Sequence, residues 1–151
     1  MAMFVIENSA DLPVTEVWRR LTHWERHATA VPLTRIVVLT PPPTGPGSRF
    51  TARTGWRRLS FDDPMEVVRW EPPAPGRDSG YCRLEKRGRV VLGWAEIRVR
   101  AEAPAPPGGR SRVEWREEVR LRGLPRRLDP LLRRAGRLLF GRTVRRLLRT
   151  A

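Results

Sequence analysis

The sequence predicts an α+β chain, an antiparallel sheet of about seven strands packed on a long C-terminal helix, with two short helices after the first strand. Three observations carry this. The middle of the chain is a succession of strand-like runs separated by Pro- and Gly-rich connections too short to hold crossover helices, so neighbouring strands pair antiparallel. The last of these runs alternates strictly, Val113, Trp115, Glu117, Val119 and Leu121 on one face against Glu114, Arg116, Glu118 and Arg120 on the other. The chain then ends in a stretch, Pro125 to Arg149, whose leucines recur at steps of three and four.

Phe4 to Asn8 alternates apolar and polar side chains as an opening strand does. Asp11 and Pro13 signal a helix start, and Val14, Val17, Trp18 and Leu21 follow at helical spacing. The segment THWERHATAVP continues as a second short helix or turn and stops before Pro32, because a residue preceding proline avoids the helical region. Strands are then predicted to begin at Arg35, Ser48, Pro64, Tyr81, Val90 and Ser111, with SFDD among the connections. In PMEVVRWE apolar residues fall on both parities, so pattern alone leaves open whether Arg69 faces inward. Elsewhere one sheet face is apolar and the other charged and solvated.

In the terminal helix, Leu128, Leu131, Leu132, Ala135, Leu138 and Leu139 form one apolar stripe. Pro130 suits a first turn only, which makes Asp129 the natural N-cap. Phe140, Val144, Leu147 and Leu148 form a second stripe displaced by roughly 150° at ~100° per residue. Either the helix bends near Gly141 or its last turns are covered from another side. The first stripe and the apolar face of the sheet are the two surfaces expected to need each other.

The 151 residues are expected to form one domain, spanning 1–151, that buries about two thirds of its unfolded surface. No apolar run approaches the ~20 residues of a membrane span, and the first residues lack the basic start and apolar core of a signal peptide, so a cytoplasmic location is expected. Cys82, the one cysteine, has neither an internal disulfide partner nor a metal-spaced companion. The net charge of +14 is almost wholly arginine, since Lys86 is the only lysine. That skew fits GC-rich codons as well as a polyanion-binding surface. No nucleic-acid recognition motif accompanies the charge, and no specific nucleic-acid partner is expected.

The order of strand, two short helices, six-strand meander and long terminal helix resembles the SRPBCC, or START-like, superfamily. The resemblance is carried by Pro13-Val14-Thr15-Glu16-Val17-Trp18, by His23-Trp24-Glu25-Arg26-His27 leading to Val31-Pro32-Leu33-Thr34, by Asp63-Pro64 to Trp70-Glu71-Pro72, and by Trp115-Arg116-Glu117-Glu118. Within that superfamily the chain is most similar to the polyketide cyclase/dehydrase-like group. The resemblance implies a helix-grip fold, a curved sheet closing on the last helix around an apolar cavity. It also points to a small hydrophobic ligand, lipid-like or polyketide-like; no cofactor is expected, since no cofactor-binding motif appears.

Several residues are candidates for work in such a cavity. Glu117 sits among Val113, Trp115 and Val119 on the inward face, where burial raises a carboxyl pKa unless an arginine pairs with it. His27 is placed at the cavity mouth as a hydrogen-bonding or acid–base group, or else is a surface histidine. His23 and His27 share a helical face, but nothing supplies a third metal ligand, so no metal site is expected. Trp56, Tyr81, Trp115, Leu132 and Leu139 are the candidate ligand-binding residues. With no nucleophile elbow, phosphate loop or dinucleotide fingerprint, two uses of the cavity stay open: binding alone, or cyclase/dehydrase chemistry through His27 and Glu117. A third reading, from a different class, lays the basic last helix on an anionic membrane.

Overall fold

A computed structural model describes residues 2–149. Strand β1 (Ala2–Ala10) is followed by α1 (Val14–Thr22), a 3-10 turn at Trp24–Arg26 and the one-turn α2 (His27–Ala30). The strands β2 (Thr34–Val38), β3 (Arg49–Trp56), β4 (Leu59–Glu71), β5 (Ser79–Lys86), β6 (Val91–Ala101) and β7 (Ser111–Leu121) come next. A second 3-10 turn, Arg126–Leu128, leads into α3 (Asp129–Arg149). The strands form one curved antiparallel sheet in the order β1-β7-β6-β5-β4-β3-β2, in which β1 closes against β7 with Phe4 opposite Glu117 and Ile6 opposite Trp115.

Two details of β4 depart from the sequence expectation. The SFDD stretch belongs to the strand: β3 and β4 join in a two-residue turn at Arg57–Arg58, Trp56 pairs with Leu59, and Arg57 takes the left-handed φ of 57°. Farther along, the register against β5 shifts between Val67 and Arg69. One extra residue reverses the parity, so Val67 is inward before the bulge and Trp70, not Arg69, is inward after it. Arg69 stays on the outer face, over the Tyr81 ring and 2.8 Å from Glu71.

The core contains Val17, Trp18 and Leu21 of α1, Val67, Leu84, Ile97, Val99, Val113 and Trp115 of the sheet, and Val144 and Leu147 of α3. The part of α3 that enters this core is therefore the second apolar stripe. The first stripe, expected to meet the sheet, does so only in part, since Leu131 and Leu138 are 65% and 55% exposed. The helix runs unbroken through Gly141, and its last turns are covered by α1, where the Arg20 guanidinium donates to the Leu148 carbonyl at 2.7 Å. Asp129 is the first helical residue rather than the N-cap, and Pro130 lies in the first turn as its ring requires. Where α3 crosses β1 the contact is close. A Cβ on Gly136 would stand 2.5 Å from the Phe4 ring, so glycine sets how near the helix comes to the sheet.

The outer face carries ion pairs across neighbouring strands, among them Arg53–Asp62, Arg83–Glu96 and Arg112–Glu7. No helix among the described residues is long and apolar enough to cross a membrane.

Candidate functional site

The first three turns of α3 do not rest on the sheet along their length. Between them and the inner faces of β2 to β7 lies a cavity of about 400 Å³. Its wall is chiefly apolar, with Ile36, Phe50, Met65, Leu84, Val91 and Val119 from the sheet and Leu132, Ala135, Leu139 and Phe140 from α3. Phe61 and Leu139 line it and are also exposed, which marks where it meets the surface. One side of the wall is a chain of rings. Trp24 stacks on Phe50 (centroids 4.6 Å apart), His27 lies 5.9 Å from Trp24 and 5.8 Å from Trp115, and Phe140 bridges Trp115 to Phe4. Aromatic rings bury large flat areas without flexible side chains, a lining suited to apolar molecules.

Within this apolar wall stand three charged residues. The Lys86 ammonium donates to Asp63 Oδ2 at 2.7 Å, lies 3.2 Å from Glu117 Oε1, and has the Met65 sulfur at 4.0 Å. Trp115 Nε1 donates to Glu117 Oε2 at 3.0 Å. Strand alternation brings them together: Asp63 and Met65 point inward from β4, Lys86 follows Cys82 and Leu84 from β5, and Glu117 follows Val113 and Trp115 from β7. Burial is the first influence on each of them. It pushes the Asp63 and Glu117 carboxyls up, against the pull of Lys86. It also opposes the charge on Lys86, but the attraction of Glu117 and Asp63 outweighs it and holds the ammonium above its ordinary value.

Of the residues singled out from sequence, His27, Trp115, Glu117, Leu132 and Leu139 line the cavity. His27 is buried rather than superficial. Its Nε2 lies 2.8 Å from the Leu21 carbonyl, so that nitrogen carries the proton and donates. Burial lowers its pKa, with the neighbouring His23 adding to the effect, and the ring is neutral at physiological pH. Glu117 is 1% exposed, and its partner is Lys86 rather than an arginine.

Two candidates lie elsewhere. Trp56 ends β3 at the hairpin turn, 65% exposed, with the Arg57 guanidinium over its ring. Tyr81 points from β5 to the outer face, where its hydroxyl donates to Glu96 at 2.8 Å and Arg69 and Arg98 flank the ring. Both are suggested by composition rather than by parity: Tyr81 is out of step with the inward Cys82 and Leu84. Cys82 is buried in the core, and burial pushes its thiol up to about 12, so it is no thiolate at neutral pH.

Asp63, Lys86 and Trp24 also line the cavity and are not among the sequence candidates. Two signals for Lys86 are present in the chain: it shares the parity of Cys82 and Leu84, and it is the one lysine in an arginine-rich protein. The position of Asp63 becomes readable only once β4 is known to begin at Leu59. Among the described residues, no three His, Cys, Asp or Glu side chains gather in a way that would hold a metal ion.

No protein-family model and no curated protein matches the chain. Solved structures do. It is similar to Ara h 8.0201 at 12% identity, over 98% of both chains, with a TM-score of 0.58. It is likewise similar to TTHA0849 from Thermus thermophilus at 13% identity, over 97% of this chain and 93% of that one, with a TM-score of 0.62. At such identities the likeness is one of fold. With seven antiparallel strands curving toward a long C-terminal helix and short helices after the first strand, the chain has the helix-grip fold of Bet v 1-like proteins.

Proposed function

We propose that this chain is a single domain that binds a small hydrophobic molecule in the cavity between the sheet and the first three turns of α3. The observation that carries the reading is the cavity itself. About 400 Å³ of space with an aromatic and aliphatic lining falls in the range of small-molecule sites, and a space of that size left empty forfeits the contacts its walls would make. The helix-grip fold and its reputation for apolar ligands support the same reading.

The test is a titration with the neutral fluorophore N-phenyl-1-naphthylamine, together with native mass spectrometry of the freshly purified protein. A saturable 1:1 signal that Leu132→Trp weakens at least tenfold is expected, because the indole would occupy part of the space Leu132 faces. No saturable binding, or binding indifferent to Leu132→Trp, would overturn the reading.

The acid–base reading, a cyclase or dehydrase working through His27 and Glu117, is served less well. The His27 Nε2 proton is committed to Leu21, and both Glu117 oxygens have partners in Trp115 and Lys86. Contact with an anionic membrane has its own support. Leu131 and Leu138 stand exposed on a helix that bears seven arginines, so an apolar strip is flanked by cationic groups. Co-sedimentation with vesicles containing 30% phosphatidylserine, abolished both by 0.5 M NaCl and by Leu131→Asp/Leu138→Asp, is the expected result. Binding that survives the double substitution would leave only non-specific arginine adhesion.

A further inference from the structure

Among the described residues, two buried side-chain polar atoms have no hydrogen-bond partner: Trp24 Nε1 and Asp63 Oδ1. They lie on different elements, the 3-10 turn after α1 and strand β4, yet both residues line the same cavity. Buried polar groups left unmet are rare in folded proteins, and each costs about 1–3 kcal/mol. Two of them beside one apolar cavity are a pair of valences for something that enters it.

The surrounding groups narrow what that is. The rest of the charged cluster is already engaged, the Lys86 ammonium by Asp63 Oδ2, Glu117 Oε1 and the Met65 sulfur, and Glu117 Oε2 by Trp115, while His27 Nε2 is held by Leu21. The two buried atoms left without a partner are one donor, since an indole N–H only donates, and one acceptor, the second oxygen of Asp63. With two carboxyl groups to one ammonium, the cluster repels a further anion rather than attracting one. An ammonium would satisfy Asp63 and leave Trp24 unmet. A hydroxyl both donates and accepts.

We propose that the ligand of this cavity is a neutral apolar molecule bearing a hydroxyl group, alcohol or phenol, recognised by Asp63 Oδ1 as acceptor and Trp24 Nε1 as donor. The inference rests on the cavity being a ligand site and adds the class of ligand. Lys86 and Glu117 act at one remove, since they hold the Asp63 carboxyl in place and set the charge that excludes carboxylates.

Displacement of bound N-phenyl-1-naphthylamine by 1-decanol, 1-methoxynonane and decanoate tests it, since the three have similar chains and differ in the polar group. Decanol is expected to bind at least about tenfold more tightly than the ether, the scale on which a site with unpaired polar groups rejects an analogue that cannot pair them. Decanoate is expected to be weakest at pH 7.5. Asp63→Leu leaves Lys86 paired with Glu117, and Trp24→Phe keeps a ring against Phe50; each is expected to bring alcohol and ether within about threefold while ether affinity holds. Equal binding of alcohol and ether to the parent protein, tighter binding of decanoate, or a preference unchanged in both variants would overturn the hydroxyl assignment and leave the cavity standing as an apolar site. Failure of the fluorophore to bind at all would overturn the cavity reading and this one together.

Discussion

One end of the sheet is closed by α1 and the last turns of α3, where Val17, Leu21, Ile97, Val144 and Leu147 meet with essentially no exposure. At the other end the first turns of the same helix cross the same face and leave a cavity. Composition does not separate the two ends, because both halves of α3 are built from leucine and arginine. What differs is the partner. In the last turns α1 lies against the helix and supplies the second layer, whereas in the first turns the helix faces β2, β3 and β4, and no element fills the space between. The buried polar groups of the sealed end, Arg20 and Thr143, are each spent on a backbone carbonyl of α3, while the hollow end gathers Asp63, Lys86, Glu117, His27 and Trp24. Charged groups are costly in a packed interior and tolerable beside a space that a ligand or solvent occupies.

The largest expected effect comes from breaking the charge balance of the hollow end. Lys86→Met leaves two carboxyl groups facing one another without a cation and should lower stability by about 3–5 kcal/mol at pH 7. The sign of its pH dependence follows from burial, which already holds both carboxyls above their ordinary range. A raised acid stabilises the folded state below its unfolded pKa, and that stability is lost as pH rises through the folded value. Urea unfolding should therefore show the deficit of the variant shrinking from pH 7 toward pH 5. Glu117→Gln, which leaves one acid to one base, should cost far less, about 1 kcal/mol.

The sealed end responds to volume rather than charge. Leu147→Ala should lower stability by about 2–5 kcal/mol, a cost that follows from a cavity opened where packing is complete. Binding of N-phenyl-1-naphthylamine by the folded fraction should be unchanged. If the two ends are energetically continuous rather than distinct, this substitution will also alter ligand affinity.

His27 stands between the ends, lining the cavity while its ring is tied to the Leu21 carbonyl of α1. Burial holds its pKa below the ordinary value, so its contribution is present above about pH 6.5 and is lost as pH falls through the folded value. The stability difference between the parent protein and His27→Gln should widen from pH 5 to pH 7 in thermal or urea unfolding. A flat difference would mean that the ring is solvated and belongs to neither end.

The smallest effect sharpens the contrast within α3. Leu138→Ser, on the exposed strip of the same helix as Leu147, should change stability by no more than about 0.5 kcal/mol.

Much of this architecture can be read from period and punctuation. Alternation in β6 and β7 identifies the inner face and places Glu117 and Trp115 on it, and the two stripes of α3 are visible as stripes. Misassignments arise where a local pattern has more than one tertiary continuation. The SFDD stretch is polar enough for a loop, yet it pairs with β3 as strand because the real turn is the two residues at Arg57–Arg58. Trp56 and Tyr81 have the chemistry of ligand-binding residues, and parity puts them outside. Lys86 reads as one more charged residue on a strand, although it is the centre of the buried cluster.

By itself the sequence determined the class of the chain, the run of strands and the amphipathic terminal helix, because side-chain period and backbone punctuation are local properties. Only the tertiary structure decided which stripe of α3 is core and which overhangs a cavity. That outcome depends on α1 lying against one end of the helix and on Gly136 letting Phe4 approach it. Likewise, only the pairing of β4 with β5, β5 with β6 and β6 with β7 brings Asp63 and Glu117 each within reach of the Lys86 ammonium, although 23 and 31 residues of chain separate them from it. A sheet sets neighbours by register, and register between strands is not a property of any one stretch of sequence.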